Sequence, residues 1–128
     1  MTFLIVEDSR TTRNLIKSYL SEIKIGQKCF FFEAEDGESA LRILPDGHID
    51  FLLLDWNLSS DMTGLDVLKA VRNIDKFKNM PIIMITGDTD KIKVVESIKY
   101  GANDFISKPI DKKLFSEKIL KAASTVKL

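Results

Sequence analysis

The sequence predicts an α/β fold, a doubly wound domain of five β/α units around a five-stranded parallel sheet, and three observations predict it. Short apolar runs alternate with segments of helical spacing about ten residues long, each long enough to return a parallel neighbour. Two of the runs, Leu52-Leu53-Leu54 and Ile82-Ile83-Met84-Ile85, are continuously apolar, as strands covered by helices on both faces are. Four runs stop at a residue able to handle phosphate or a metal, so a parallel sheet would place all four polar ends on one edge.

The elements follow in order. Phe3-Leu4-Ile5-Val6 forms the first strand and stops at Glu7-Asp8. Ser9 is placed to cap a helix running to about Ile23, with Leu15, Ile16, Tyr19, Leu20 and Ile23 on one face. The apolar run Lys28-Cys29-Phe30-Phe31-Phe32 precedes a helix from Gly37 to Leu44 that turns Ala40, Leu41 and Leu44 inward and stops before Pro45. Phe51-Leu52-Leu53-Leu54 ends at Asp55, and Gly64 to Ile74 repeats the helical pattern through Leu65, Leu68 and Val71. Ile82-Ile83-Met84-Ile85 ends at Thr86. The helix from Asp90 to Tyr100 then carries Ile92, Val95 and Ile98, and Gly101 fits the left-handed position that ends a helix. Phe105-Ile106-Ser107 ends at Lys108, and a last helix from Asp111 to about Ala123 places Leu114, Phe115, Ile119 and Ala122 inside. No linker, repeat or low-complexity stretch interrupts the pattern, which predicts one domain over residues 1–128.

Composition narrows the function. At 45% hydrophobic and 30% charged the chain is expected to be globular, and 128 residues suffice for a core without staples. Lys plus Arg equal Asp plus Glu at 19 each, so no field draws the chain to nucleic acid or to an anionic membrane, and neither is expected as a partner. Residues 1–87 carry 10 basic and 13 acidic side chains and residues 88–128 carry 9 and 6, a shift from −3 to +3. The acidic part matches a cation site. Cys29 stands alone and reads as a small buried hydrophobe. The first apolar stretch ends at Glu7, short of a signal-peptide core, and no segment approaches the roughly 20 apolar residues of a membrane span, so a reducing, cytoplasmic setting is expected. His48 reads as a solvated turn residue, Tyr100 as a core aromatic and Trp56 as half exposed.

Three carboxylates at one sheet edge raise each other's pKa and persist ionised only beside a cation. Glu7, Asp8 and Asp55 offer hard oxygen ligands with no His or Cys among them, which favours Mg²⁺ over zinc or copper. Thr86 and Lys108 add a hydroxyl donor and a point charge suited to phosphoryl oxygens. Positioning and such electrostatics are most of what phosphoryl transfer requires. Asp55, ionised between the two groups, can attack phosphorus and become an aspartyl phosphate.

The order and spacing of these residues resemble the receiver domain of two-component response regulators, nearest the stand-alone chemotaxis type. The likeness covers essentially the whole chain: Glu7-Asp8 after the first strand, Leu54-Asp55-Trp56-Asn57 at the end of the third, Thr86-Gly87 after the fourth, and Gly101-Ala102-Asn103-Asp104-Phe105-Ile106-Ser107-Lys108-Pro109 around the fifth. The resemblance implies the flavodoxin-like strand order 2-1-3-4-5. It also implies Asp55 as phosphoacceptor, Asp8 and Asp55 as direct Mg²⁺ ligands with Glu7 acting through a water, and the backbone carbonyl of Asn57 as a further ligand. Thr86, Gly87 and Lys108 would meet the phosphoryl group, Thr86 and Phe105 would form the switch, and Asn57 and Asp88 would tune dephosphorylation. A cis Lys108–Pro109 bond is implied as well. The expected phosphoryl donor is a phosphohistidine on a sensor histidine kinase or phosphotransfer protein. The expected output is a protein partner bound by the face of the fourth helix, fifth strand and fifth helix.

The family pattern is not followed everywhere. Receivers usually carry Pro four residues after the acceptor and Gly eight after it; here Ser59 takes the first place and Gly64 comes nine after Asp55, so the loop from Leu58 to Thr63 has one extra residue. A Mg²⁺-dependent Asp-nucleophile phosphatase is the runner-up, yet such enzymes place a second Asp where this chain has Asn57. A flavodoxin-like nucleotide binder would find its phosphate repelled by Glu7-Asp8. A receiver serving only as a scaffold would have no use for the intact acid pair, Asp55, Thr86 and Lys108.

Overall fold

The computed structural model describes residues 1–87 and 91–126, within which strands and helices alternate. They are β1 (Thr2–Val6), α1 (Arg10–Glu22), β2 (Phe30–Ala34), α2 (Gly37–Ile43), β3 (Phe51–Asp55), α3 (Gly64–Arg72), β4 (Ile82–Thr86), α4 (Lys91–Lys99), β5 (Asp104–Ser107) and α5 (Lys112–Ala123), with a short 3₁₀ turn at Asp75–Phe77. Side-chain caps start four of the helices. Ser9, Asp36, Thr63 and Asp111 accept from the backbone N–H of Thr12, Ser39, Asp66 and Leu114, satisfying donors that the first turn leaves open. At Thr63 the Asp66 carboxylate returns a bond to the cap N–H, a reciprocal arrangement that pins the end of the loop after β3.

The sheet is parallel throughout, in the order β2-β1-β3-β4-β5. Alternate residues of each strand face opposite layers. Leu4, Val6, Leu52, Leu54, Ile82 and Met84 pack with Ala40 and Leu44 and with Val67, Leu68 and Val71 of α3. Phe3, Ile5, Phe51, Leu53, Ile83 and Ile85 pack on the other face with Ile16 and Leu20 of α1 and Phe115 and Ile119 of α5. Every residue of β3 and β4 is buried, which matches their unbroken apolar runs. Gly101 has φ +107°, the left-handed conformation needed just past α4. Among the described residues no helix is long and apolar enough to cross a membrane.

Several side chains depart from the expected positions. Ile92, Val95 and Ile98 of α4 are exposed, because this helix meets the molecule through Ser97, its one buried described residue, and turns its apolar stripe to solvent. Leu15 and Leu114 are also exposed, as is Tyr100, whose ring is capped by the ammonium of Lys69 at 4.3 Å. Trp56 is only 8% exposed, since the chain leaving β3 lays its ring in the layer containing α2 and α3. Cys29 is half-buried, and His48 is exposed in a turn with φ 49°. The third helix stops at Arg72, with Asn73 as its cap.

Candidate functional site

Register decides what the sheet's carboxyl edge presents. Val6 pairs with Leu54, Asp55 with Ile85, and Thr86 with Ser107, so the residues that follow β1, end β3 and follow β5 come together. Ligand oxygens of Glu7, Asp8 and Asp55 lie within 4.8 Å of one another. Glu7 and Asp55 are 2% and 4% exposed, whereas Asp8 is open to solvent. The Lys108 ammonium donates to Asp55 Oδ2 at 2.8 Å and also to Glu7 Oε1. Burial pulls that ammonium's pKa down, but the hydrogen bonds and charges of Asp55 and Glu7 outweigh burial and hold it above the ordinary lysine value. Asp8 is pushed up from the ordinary Asp value by its hydrogen bond with Glu7, then by burial and by the charge of Glu7.

This donor set suits a hard divalent cation. Three carboxylates against one ammonium leave two negative charges when all are ionised, and every ligand atom in the cluster is an oxygen. The raised pKa of Asp8 is the direction that crowding by the neighbouring carboxylate Glu7 produces.

The surrounding backbone holds the acids in place. Asn57 N–H donates to Asp55 Oδ1 at 3.1 Å, fixing the carboxylate against the turn that follows it. Gly64 N–H donates to the Trp56 carbonyl at 2.7 Å, which closes the lengthened loop onto the end of β3. A Cβ at Gly64 would lie 2.1 Å from the Asp55 carbonyl oxygen, so only glycine permits that approach. Thr86 is buried at the end of β4, and its carbonyl accepts the Lys108 N–H at 2.9 Å. Gly87 is exposed, with space beside it up to the Lys108 Cβ. The Lys108–Pro109 peptide is cis. Phe105 is half-buried on β5 with the Lys118 ammonium 4.7 Å from its ring centre. Asp88 lies outside the described residues.

Arg13 supports the acid pair without belonging to any of the motifs above. Arg13 is buried, and its Nη1 donates to the carbonyls of Glu7 (2.7 Å) and Asp8 (3.2 Å), while its Nε donates to Glu33 at 3.0 Å. It ties the backbone of the acid pair to α1 and β2. A signal was present, because Arg13 shares the i, i+3, i+7 spacing of the buried Ile16 and Leu20 and therefore had to point inward.

Comparison with known proteins agrees with this fold. The family model of the response regulator receiver domain matches residues 3–120. The chain is 37% identical to the chemotaxis protein CheY of Pseudomonas aeruginosa, with 94% of each chain covered. It is 40% identical to CheY1 of Helicobacter pylori, covering 93% of this chain and 94% of that one. Among solved structures it resembles a putative response regulator from Chloroflexus aurantiacus (TM-score 0.85, 27% identity, 96% and 97% covered). It also resembles the chemotaxis protein CheY4 of Vibrio cholerae (TM-score 0.83, 28% identity, 94% and 97% covered). A match running from the first strand into the last helix, joined to CheY relatives along nearly their whole length, makes the chain a CheY-like member of the response regulator receiver domain family.

Proposed function

We propose that the chain is a phosphorylation-driven switch in a chemotaxis-like two-component system, working in the cytoplasm, and that Asp55 is its phosphoacceptor. The observation that carries this reading is the Asp55 carboxylate at the end of the central strand, with ligand oxygens of Glu7 and Asp8 within 4.8 Å and the Lys108 ammonium, shared with Glu7, donating to it. Asp8, Asp55 and Glu7 would hold Mg²⁺, with the Asn57 carbonyl as a further ligand. When bound, the ion supplies positive charge at the oxygens of the transferred phosphoryl group. An Asp55 carboxylate oxygen forms the new O–P bond as the P–N bond to a kinase or phosphotransfer phosphohistidine breaks, the nitrogen keeping the electron pair.

Lys108 then exchanges part of its carboxylate contact for a phosphoryl oxygen, and Thr86 and Gly87 contribute donors at the far side. Those contacts exist only in the phosphorylated state, so they bias one of two packings at Thr86 and Phe105. The responding surface is that of α4, β5 and α5, and the exposed Ile92, Val95 and Ile98 support its use as a protein contact. Asn57 and Asp88 are assigned to tuning the hydrolytic water. A signalling protein of this kind catalyses only its own phosphorylation and dephosphorylation.

The test is incubation with acetyl phosphate and Mg²⁺ followed by intact mass. Wild type should gain one phosphoryl adduct, and Asp55→Asn none. An adduct on both proteins, or on neither, would remove Asp55 from the role.

A further inference from the structure

The edge of the sheet farthest from β5 carries features that the switch does not use. Among the described residues β2 has a strand neighbour on one side only. Phe30 N–H donates to the Met1 carbonyl and the Ala34 carbonyl accepts from Glu7 N–H, so the even-numbered residues spend their peptide groups on β1. In parallel pairing the peptide groups of Phe31 and Glu33 therefore point away from the sheet. Such an edge is a template for another strand.

Two aromatic side chains stand beside that template. Phe30 and Phe32 are 53% and 43% exposed and lie on the face of the sheet that carries α2, which spans seven residues and does not reach them; the Lys28 ammonium lies 5.4 Å from the Phe30 ring centre. Edges are usually guarded by charge. Here the charge within the strand, Glu33, is drawn toward α1 by Lys17 and Arg13, each at 3.0 Å, and so leaves the edge. The remaining charges are polarised along the strand: Lys24 and Lys28 precede it, and Glu35, Asp36 and Glu38 follow it, Glu35 lying 3.6 Å from Arg13 Nη2 and Asp36 capping α2. A parallel copy would oppose like charges. An antiparallel copy places the lysines of each chain beside the acids of the other, at both ends of the pairing.

From this edge we infer that a second copy of the chain docks on β2, antiparallel and about a two-fold axis normal to the sheet. The Phe31 and Glu33 peptide groups of the two chains bond across the axis, and Phe30 and Phe32 of each chain cover those of the other. A two-fold pairing keeps the same face of both sheets on one side, so the two Phe32 rings oppose each other at the axis with a Phe30 ring diagonal to each. A five-residue edge buries less than the roughly 1,600 Å² of a standard interface, so the dimer is weak and forms as concentration rises. The inference rests on the β2 edge alone and does not depend on phosphorylation.

The experiment is sedimentation of the full chain from micromolar to millimolar concentration, with amide hydrogen exchange followed in parallel. The expected result is a mass that climbs toward twice that of one chain, together with slowed exchange at the Phe31 and Glu33 amides only where the dimer forms. Phe32→Lys and, separately, Phe30→Lys should keep the far-ultraviolet circular dichroism of wild type and stay monomeric throughout. A monomer at millimolar concentration overturns the inference. So does a dimer whose concentration-dependent protection lies elsewhere, on α4 for example, or one that both folded variants form as readily as wild type.

Discussion

Removal of the Lys108 ammonium would leave Glu7 and Asp55, both buried, facing each other without their shared donor. Lys108→Ala should therefore lose about 2–3 kcal/mol in urea denaturation without divalent ions, the range for leaving charged groups unsatisfied. Added Mg²⁺ should recover part of that loss; an unchanged midpoint would show the ammonium to be dispensable. Glu33 gives a pH dependence with a definite sign. Burial works against its ionisation, but hydrogen bonds from Lys17 and Arg13 prevail and hold its pKa below the ordinary Glu value. A carboxyl with a lowered folded-state pKa stabilises the fold above its unfolded pKa and ceases to as pH falls through the folded one. Glu33→Gln should cost up to about 1 kcal/mol at neutral pH, as exposed pairs do, and nothing in strong acid. The Glu and Asp ligand candidates were legible in the sequence from type and position. Arg13 was harder to read, because an arginine in a helix is ordinarily a surface charge until a buried carbonyl needs it.

Local chemistry announced most of the elements. Ser9 and Gly101 marked a helix start and a helix end that the structure retains. The inward face of α4 was not legible, since the spacing of Ile92, Val95 and Ile98 defines a stripe without saying which way it turns. The burial of Trp56 depends on helices that arrive from elsewhere in the chain, which no local pattern reports. Two predictions belong to this scale. Gly64→Ala should cost about 3 kcal/mol in thermal or urea unfolding, because a Cβ 2.1 Å from the Asp55 carbonyl oxygen cannot be relieved by a rotamer change and must open the loop after β3. Ile92→Gln should stay within about 0.5 kcal/mol of wild type, as exposed positions do, and a larger loss would mean that α4 is packed rather than open.

At the scale of the molecule the sheet does the assembling. Lys108 and Glu7 stand 101 positions apart in sequence, yet their side chains bond because β1, β3 and β4 lie side by side and β5 extends the row. That convergence could be foreseen from four strand ends alone, whereas the exposure of Phe30 and Phe32 on the edge strand β2 could not, because an apolar run does not reveal which of its faces a neighbouring helix leaves bare. The most direct test of the central claim, that this fold builds one cation pocket around Asp55, is calorimetric titration with Mg²⁺. One ion should bind per chain, and Asp8→Asn and Asp55→Asn should each weaken binding on the order of tenfold or more, about 1.4 kcal/mol for each factor of ten. Binding of equal strength in all three proteins, or no binding in wild type, would contradict it.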